Sequence, residues 1–271
     1  MKELFKRSIT GILYVFLLLA AAMLNTEAFN FLFLVFGLVC LYEFKKIIKL
    51  SGYYIFLAFL GLWWLFIYLI EDFHQKKSLA LLLLAATLLT NLFLLSELFG
   101  KKATKYSNAG RFAISLFYIG TGCIFLTMIP YYEYHFAKFL IIGIFILIWV
   151  NDSFAFLVGK TLGKNKLFPS VSPKKTIEGF AGGLVFALIA AFVLSRYHKD
   201  LYIWQWFILA VVVVLTGTLG DLIESKFKRM AGVKDSGAIL PGHGGLLDRL
   251  DSLVFAAPFA YLTLQIFSYV S

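Results

Sequence analysis

The chain reads as an all-α polytopic transmembrane bundle, and three observations predict that class. Hydrophobic residues make up 61% of the 271 residues and charged ones only 15%, where a globular domain carries about one quarter charged residues. Apolar runs approaching the roughly 20 residues that a spanning helix requires recur along the whole length. The basic residues also crowd into alternate loops, as loops on the two sides of a membrane would require.

Nine spans are expected in order: 9–24, 28–42, 52–70, 79–98, 112–130, 139–158, 180–195, 203–219 and 253–269. The first follows Lys2, Lys6 and Arg7 and ends on Ala20 to Ala22, the pattern of a signal peptide, and is expected as an uncleaved anchor behind Met1. The second is short and is expected to tilt or to extend into its neighbours. The remaining seven are apolar windows separated by polar or glycine-containing loops. Alternation then places twenty of the 25 basic residues on one side and leaves Lys76, Lys77, Lys138, Arg196 and Lys199 on the other. The rich side is the cytosol by the positive-inside rule, so the amino terminus is expected in the cytosol and the carboxyl terminus outside. The expected location is the cytoplasmic membrane of the cell.

Composition excludes several function classes. No polar stretch is long enough for a sizeable soluble domain. Cys40 and Cys123 lie inside apolar runs, which argues against a disulfide framework or a cysteine-rich metal site. The net charge of +10 is dispersed over short loops, so topology and anionic lipid account for it and nucleic acid does not. A phosphate-binding loop of the Walker type is absent, because Phe154 stands where its first glycine belongs. The chain shows no repeat of the kind that builds transporters with inverted halves.

Two regions follow: a scaffold over 1–130 and a catalytic region over 131–271 with cytosolic loops 159–179 and 221–251. The second loop is too polar to face lipid, since one charge at the bilayer centre costs roughly 2.5 to 3.5 kcal/mol. Asp248 and Asp251 are three residues apart and share a helix face, and Asp221 and Glu224 repeat that spacing at the end of the eighth span. Brought together, these acids would form a hard oxygen site suited to magnesium, with one ion or two. Lys228, Arg229, Lys234 and Arg249 surround them, and Lys174 and Lys175 lie in a turn-like setting with Ser172, Thr176 and Glu178. Such a mixture fits polyphosphate bridged by metal. Gly244 and Gly245 beside His243 would let backbone amides approach an anion. Asp152, inside the sixth span, is a functional candidate as an intramembrane acid.

These residues carry a resemblance. Ser225, Lys228, Arg229, Lys234, Asp235, Gly237, Pro241, His243, Gly244, Gly245, Asp248, Arg249 and Asp251 resemble the signature of the phosphatidate cytidylyltransferase family, also called CDP-diacylglycerol synthase. The run from Ser172 through Gly179, with Asp152 to Lys160 before it, is similar to that family's second preserved region. Lys160 departs from the arginine expected there, which keeps the charge but loses a bidentate fork.

The resemblance implies a nucleotidyltransferase that joins CTP to phosphatidate, releases pyrophosphate and serves phospholipid biosynthesis. It implies Asp221, Asp248, Asp251, Lys228, Arg229 and His243 as the reacting centre, with Glu224 beside the metal-binding aspartates. Ser225, Lys234, Asp235, Arg249 and the residues of the earlier loop would contact substrate. Bilayer lipid is the implied environment, and pairing of protomers is compatible with the chain. A CTP-dependent polyprenol kinase and an ion-coupled transporter are the competing classes, separated by the fate of the CTP α-phosphate and by flux into sealed vesicles.

Overall fold

The computed structural model describes residues 2–70, 73–100, 104–132, 135–198, 200–240, 242 and 244–270. Helix dominates because a chain this apolar satisfies its backbone most economically within each segment. The helices are α1 (Lys2–Leu24), α2 (Thr26–Ile48), α3 (Tyr54–Trp64), α4 (Phe73–Phe99), α5 (Asn108–Ile114), α6 (Thr121–Met128), α7 (Lys138–Thr161), α8 (Ile177–Tyr197), α9 (Ile203–Met230) and α10 (Leu247–Val270). Short π-helical turns, Leu65–Leu69 and Ser115–Gly120, extend α3 and join α5 to α6. Each expected span therefore coincides with one continuous helical segment.

Six of these segments are long and apolar enough to cross a membrane among the described residues: Lys77–Phe99, Asn108–Met128, Lys138–Thr161, Ile177–Tyr197, Ile203–Met230 and Leu247–Tyr269. Thr10–Leu24 and Tyr54–Leu69 are shorter apolar helices. The architecture is that of an all-α polytopic membrane protein.

Polar residues set the helix starts. Asn25 accepts from the Ala28 amide at 2.7 Å, Ser107 from Gly110 at 3.1 Å and Thr176 from Gly179 at 3.1 Å, each satisfying a donor that its helix leaves free. Two small antiparallel hairpins supplement the helices: β1 (Tyr131–Tyr132) with β2 (His135–Phe136), and β3 (Lys166–Phe168) with β4 (Ser172–Thr176). The second hairpin connects α7 to α8 and orders a segment expected as loop.

Packing brings the two ends of the chain into one core. Phe44 of α2 meets Tyr118 and the α9 residue Phe227 edge-on at 5.5 and 5.1 Å, and Tyr118 meets Phe255 of α10 at 5.9 Å. On α8 the buried Gly179, Gly183, Ala187 and Ala191 recur every fourth residue, a stripe of small side chains that lets it lie close to α7. The most consequential pairing is α9 with α10, which carries the acids.

Candidate active site

Gly220 determines how near α9 comes to α10. A Cβ there would meet Phe255 Cβ at 2.5 Å and the Asp251 carbonyl oxygen at 2.9 Å, so a side chain would push the helices apart. At that crossing Asp221 and Glu224 of α9 converge with Asp251 of α10, with one carboxylate oxygen of each within 4.8 Å of the others. Glu224 and Asp251 are buried, and Asp221 is half-buried. The segment expected as loop 221–251 is thus helical through Met230 and again from Leu247, with the acids on the helical ends.

Two lysines balance part of this charge. Lys228, one turn beyond Glu224, pairs with Glu224 and also stands 2.6 Å from Asp248 Oδ1. Lys175, delivered by β4, reaches Asp221 Oδ2 at 2.5 Å, while Ser225 Oγ donates to Asp221 Oδ1 at 3.1 Å. Lys228 holds Glu224 Oε2, while Oε1 has no hydrogen-bond partner among the described residues. Ionised, the four acids Asp221, Glu224, Asp248 and Asp251 outnumber Lys175 and Lys228, the ammonium groups paired with them among the described residues. Buried excess charge of this kind is costly without a counter-ion. The all-oxygen donor set, the excess of acids over ammonium groups and the unpartnered Oε1 of Glu224 all fit a hard divalent cation.

Asp248, expected beside the other acids as a ligand, is engaged elsewhere. Its Oδ2 accepts from the Ser236 amide at 2.9 Å, from Ser236 Oγ at 3.0 Å and from the Gly245 amide at 2.7 Å. The last contact reaches back three residues in the manner of a capping box and anchors the start of α10. Gly244, with φ of +85°, shapes the turn before it, and a side chain there would also meet Asp248 Oδ2 at 2.7 Å.

Other expected residues divide by position. Thr176 caps α8, and Glu178 accepts from the Lys164 amide at 3.1 Å and from Asn165 Nδ2 at 2.7 Å, so both hold the hairpin connection together. Ser172 pairs with Phe168 in the hairpin. Lys174, Lys234, Asp235 and Arg249 are exposed, as is Arg229, whose guanidinium donates to the Val233 carbonyl at 3.2 Å. Asp152 lies on α7 and accepts from Asn151 Nδ2 at 3.2 Å, with Lys175 and Asp221 among the charged groups around it. His243 and Pro241 lie outside the described residues.

One residue of the site escaped sequence reasoning. Glu43, near the end of α2, is 2% exposed and accepts from the Leu247 amide at 2.8 Å, from the Leu246 amide at 3.2 Å and from Ser236 Oγ at 3.1 Å. The available signal was a lone acid directly after an apolar run.

Comparison with known proteins places the chain in a family. The model of the cytidylyltransferase family matches residues 5–267. A protein named phosphatidate cytidylyltransferase from Bacillus subtilis strain 168 is 35% identical over 285 aligned positions, covering 99% of this chain and 100% of its own. Its namesake from Staphylococcus saprophyticus is 39% identical over 193 positions, covering 70% of this chain and 68% of its own. A third, from Staphylococcus aureus strain COL, is 44% identical over 160 positions, covering 58% and 60% respectively.

Proposed function

The chain belongs to the cytidylyltransferase family, and from that premise we propose that it transfers CMP from CTP to phosphatidate, giving CDP-diacylglycerol and pyrophosphate. The observation that carries this reading is the meeting of Asp221, Glu224 and Asp251 with Lys175 and Lys228 where α9, α10 and β4 come together. That combination suits a reaction in which two anionic phosphates must approach each other.

The barrier is electrostatic. At about 5 Å and an effective dielectric near 20, each pair of unit charges repels by roughly 3 kcal/mol. A phosphatidate oxygen forms a bond to the α-phosphorus while the bond from that phosphorus to the bridging oxygen breaks, and pyrophosphate leaves with the electron pair. The second pKa of a phosphate monoester is about 6, so the nucleophile is already largely deprotonated at neutral pH and a strong general base is not required. Positioning and charge compensation are then the work of the protein.

Asp221, Glu224 and Asp251 would hold magnesium, one ion or two. When bound, the metal supplies charge neutralisation and a Lewis-acid contact to phosphate oxygens. Lys175 and Lys228 hold positive charge beside these acids, and the exposed Lys174, Arg229 and Arg249 offer further phosphate contacts. Asp248 keeps Lys228 and the loop before α10 in place. The acyl chains stay in lipid while the headgroup enters at the helix ends.

The reading includes nine membrane crossings with the amino terminus in the cytosol and the carboxyl terminus outside, in the cytoplasmic membrane, with the site facing the cytosol. The twenty-to-five division of the 25 basic residues supports it. A homodimer is part of the same reading. The deciding assay supplies CTP labelled in the α-phosphate together with phosphatidate and magnesium in detergent. Label is expected in lipid; label retained in CDP would instead identify a CTP-dependent lipid kinase.

A further inference from the structure

Glu43 is a buried carboxylate from the amino-terminal half of the chain, and its partners lie 193 to 204 residues away in sequence. Oε1 accepts from the Leu246 amide and Oε2 from the Leu247 amide, two of the donors that the start of α10 leaves free. Oε2 also accepts from Ser236 Oγ at 3.1 Å, in the segment that follows α9. Small residues complete the seat, since a Cβ on Gly237 would come within 2.9 Å of Glu43 Cδ, and one on Gly245 within 2.6 Å of Oε2. A helix start favours an anion, and two amides and a hydroxyl compensate the burial, but no ion pair of Glu43 occurs among the described residues.

The seat leads directly into the acid cluster. Ser236 stands between two carboxylates, its hydroxyl within reach of both Glu43 and Asp248, and its amide donates to Asp248 at 2.9 Å. Asp248 in turn holds Lys228, which pairs with Glu224. We propose that Glu43 is a positioning residue for CMP transfer: by tying Ser236 to the start of α10, it fixes Asp248 and therefore the Lys228 ammonium. This role rests on the functional reading above and extends the working site into the half of the chain that the sequence suggests is only scaffold. It also gives a role to an acid at the end of an apolar helix, where a hydrophobic side chain would pack at lower cost.

The test separates positioning from simple stability. Glu43→Gln is isosteric but turns one of the two acceptor oxygens into a donor that faces an amide or the serine hydroxyl. In the α-label assay it is expected to lower kcat by about tenfold while leaving KM for phosphatidate within about twofold. Ser236→Ala, which spares both amide bonds, is expected to cost about threefold, and the double variant to be no slower than Glu43→Gln alone. Phe33→Leu, a core change in the same helix, serves as the stability control: it lowers the melting temperature and keeps kcat. Faster hydrogen exchange of the Leu246 and Leu247 amides in Glu43→Gln is the expected structural counterpart. Wild-type kcat in Glu43→Gln, or a loss matched by Phe33→Leu, overturns the proposal. Should Glu43→Gln not fold, Ser236→Ala with unchanged kcat overturns it. A wild-type protein that puts no α-label into lipid brings down the functional reading itself, a result distinct from any of these.

Discussion

The Lys228 ammonium bridges two helices: it pairs with Glu224 one turn back on α9 and lies 2.6 Å from Asp248 Oδ1 on α10. With side-chain exposures of 10% for Lys228, 0% for Glu224 and 9% for Asp248, water screens these contacts little. Lys228 therefore links the acids proposed to bind metal to the acid that shapes the preceding loop.

Removing that link should damage both folding and turnover. Lys228→Met leaves Glu224 buried without its counter-charge, a change that costs about 3 to 5 kcal/mol in comparable buried pairs. Thermal melts of the purified variant should show a large loss of stability, and residual activity should fall at least about a hundredfold. A variant as stable as wild type would contradict the buried bridge.

Lys175 should behave differently. Its pair with Asp221 is about 30% exposed on each side, at 29% and 31%, so its contribution to stability is small. Lys175→Gln should shift the melting temperature little yet reduce kcat/KM for CTP by at least about tenfold. Equal losses in stability and activity would indicate a purely structural ion pair.

The α9–α10 crossing can be tested by two neighbouring glycines. Gly220→Ala drives a methyl into Phe255 and the Asp251 carbonyl, so it should lower both stability and activity, with a cost of about 1 to 3 kcal/mol. Gly217→Ala meets nothing nearer than Ser252 Cβ at 3.5 Å and should be tolerated. The contrast is read from the two melting curves; similar curves would mean that the crossing is looser than the structure shows.

Metal dependence has its own readout. Asp221→Asn should weaken magnesium or manganese binding in calorimetry while helix content, followed by circular dichroism, stays at the wild-type level. Unchanged metal affinity would remove Asp221 from the proposed ligands.

Much of this arrangement was legible in the sequence, for identifiable reasons. The apolar runs marked every helical segment, because a span needs length and hydrophobicity more than any specific side chain. The i, i+3 spacing of Asp221 and Glu224 placed both on one helix face, and their convergence with Asp251 followed once α9 met α10. Less legible was the continuation of α9 through Met230, because charged residues there suggested a loop, whereas Glu224 and Lys228 neutralise each other on one helix face. Asp248 was expected among the metal ligands; its bonds to Ser236 and Gly245 depend on a turn that the spacing does not encode. Glu43 was hidden because its partners come from the other end of the chain. The rule that draws attention to an intramembrane acid pointed to Asp152 and gave no reason to single out Glu43, at the end of a helix.

The most direct test of the central claim compares wild type with Asp251→Asn, both purified and equally helical, for transfer of α-phosphate label from CTP into lipid with magnesium present. Wild type is expected to give labelled lipid, and the variant to turn over at least about a thousandfold more slowly. Transfer by Asp251→Asn at the wild-type rate would contradict it.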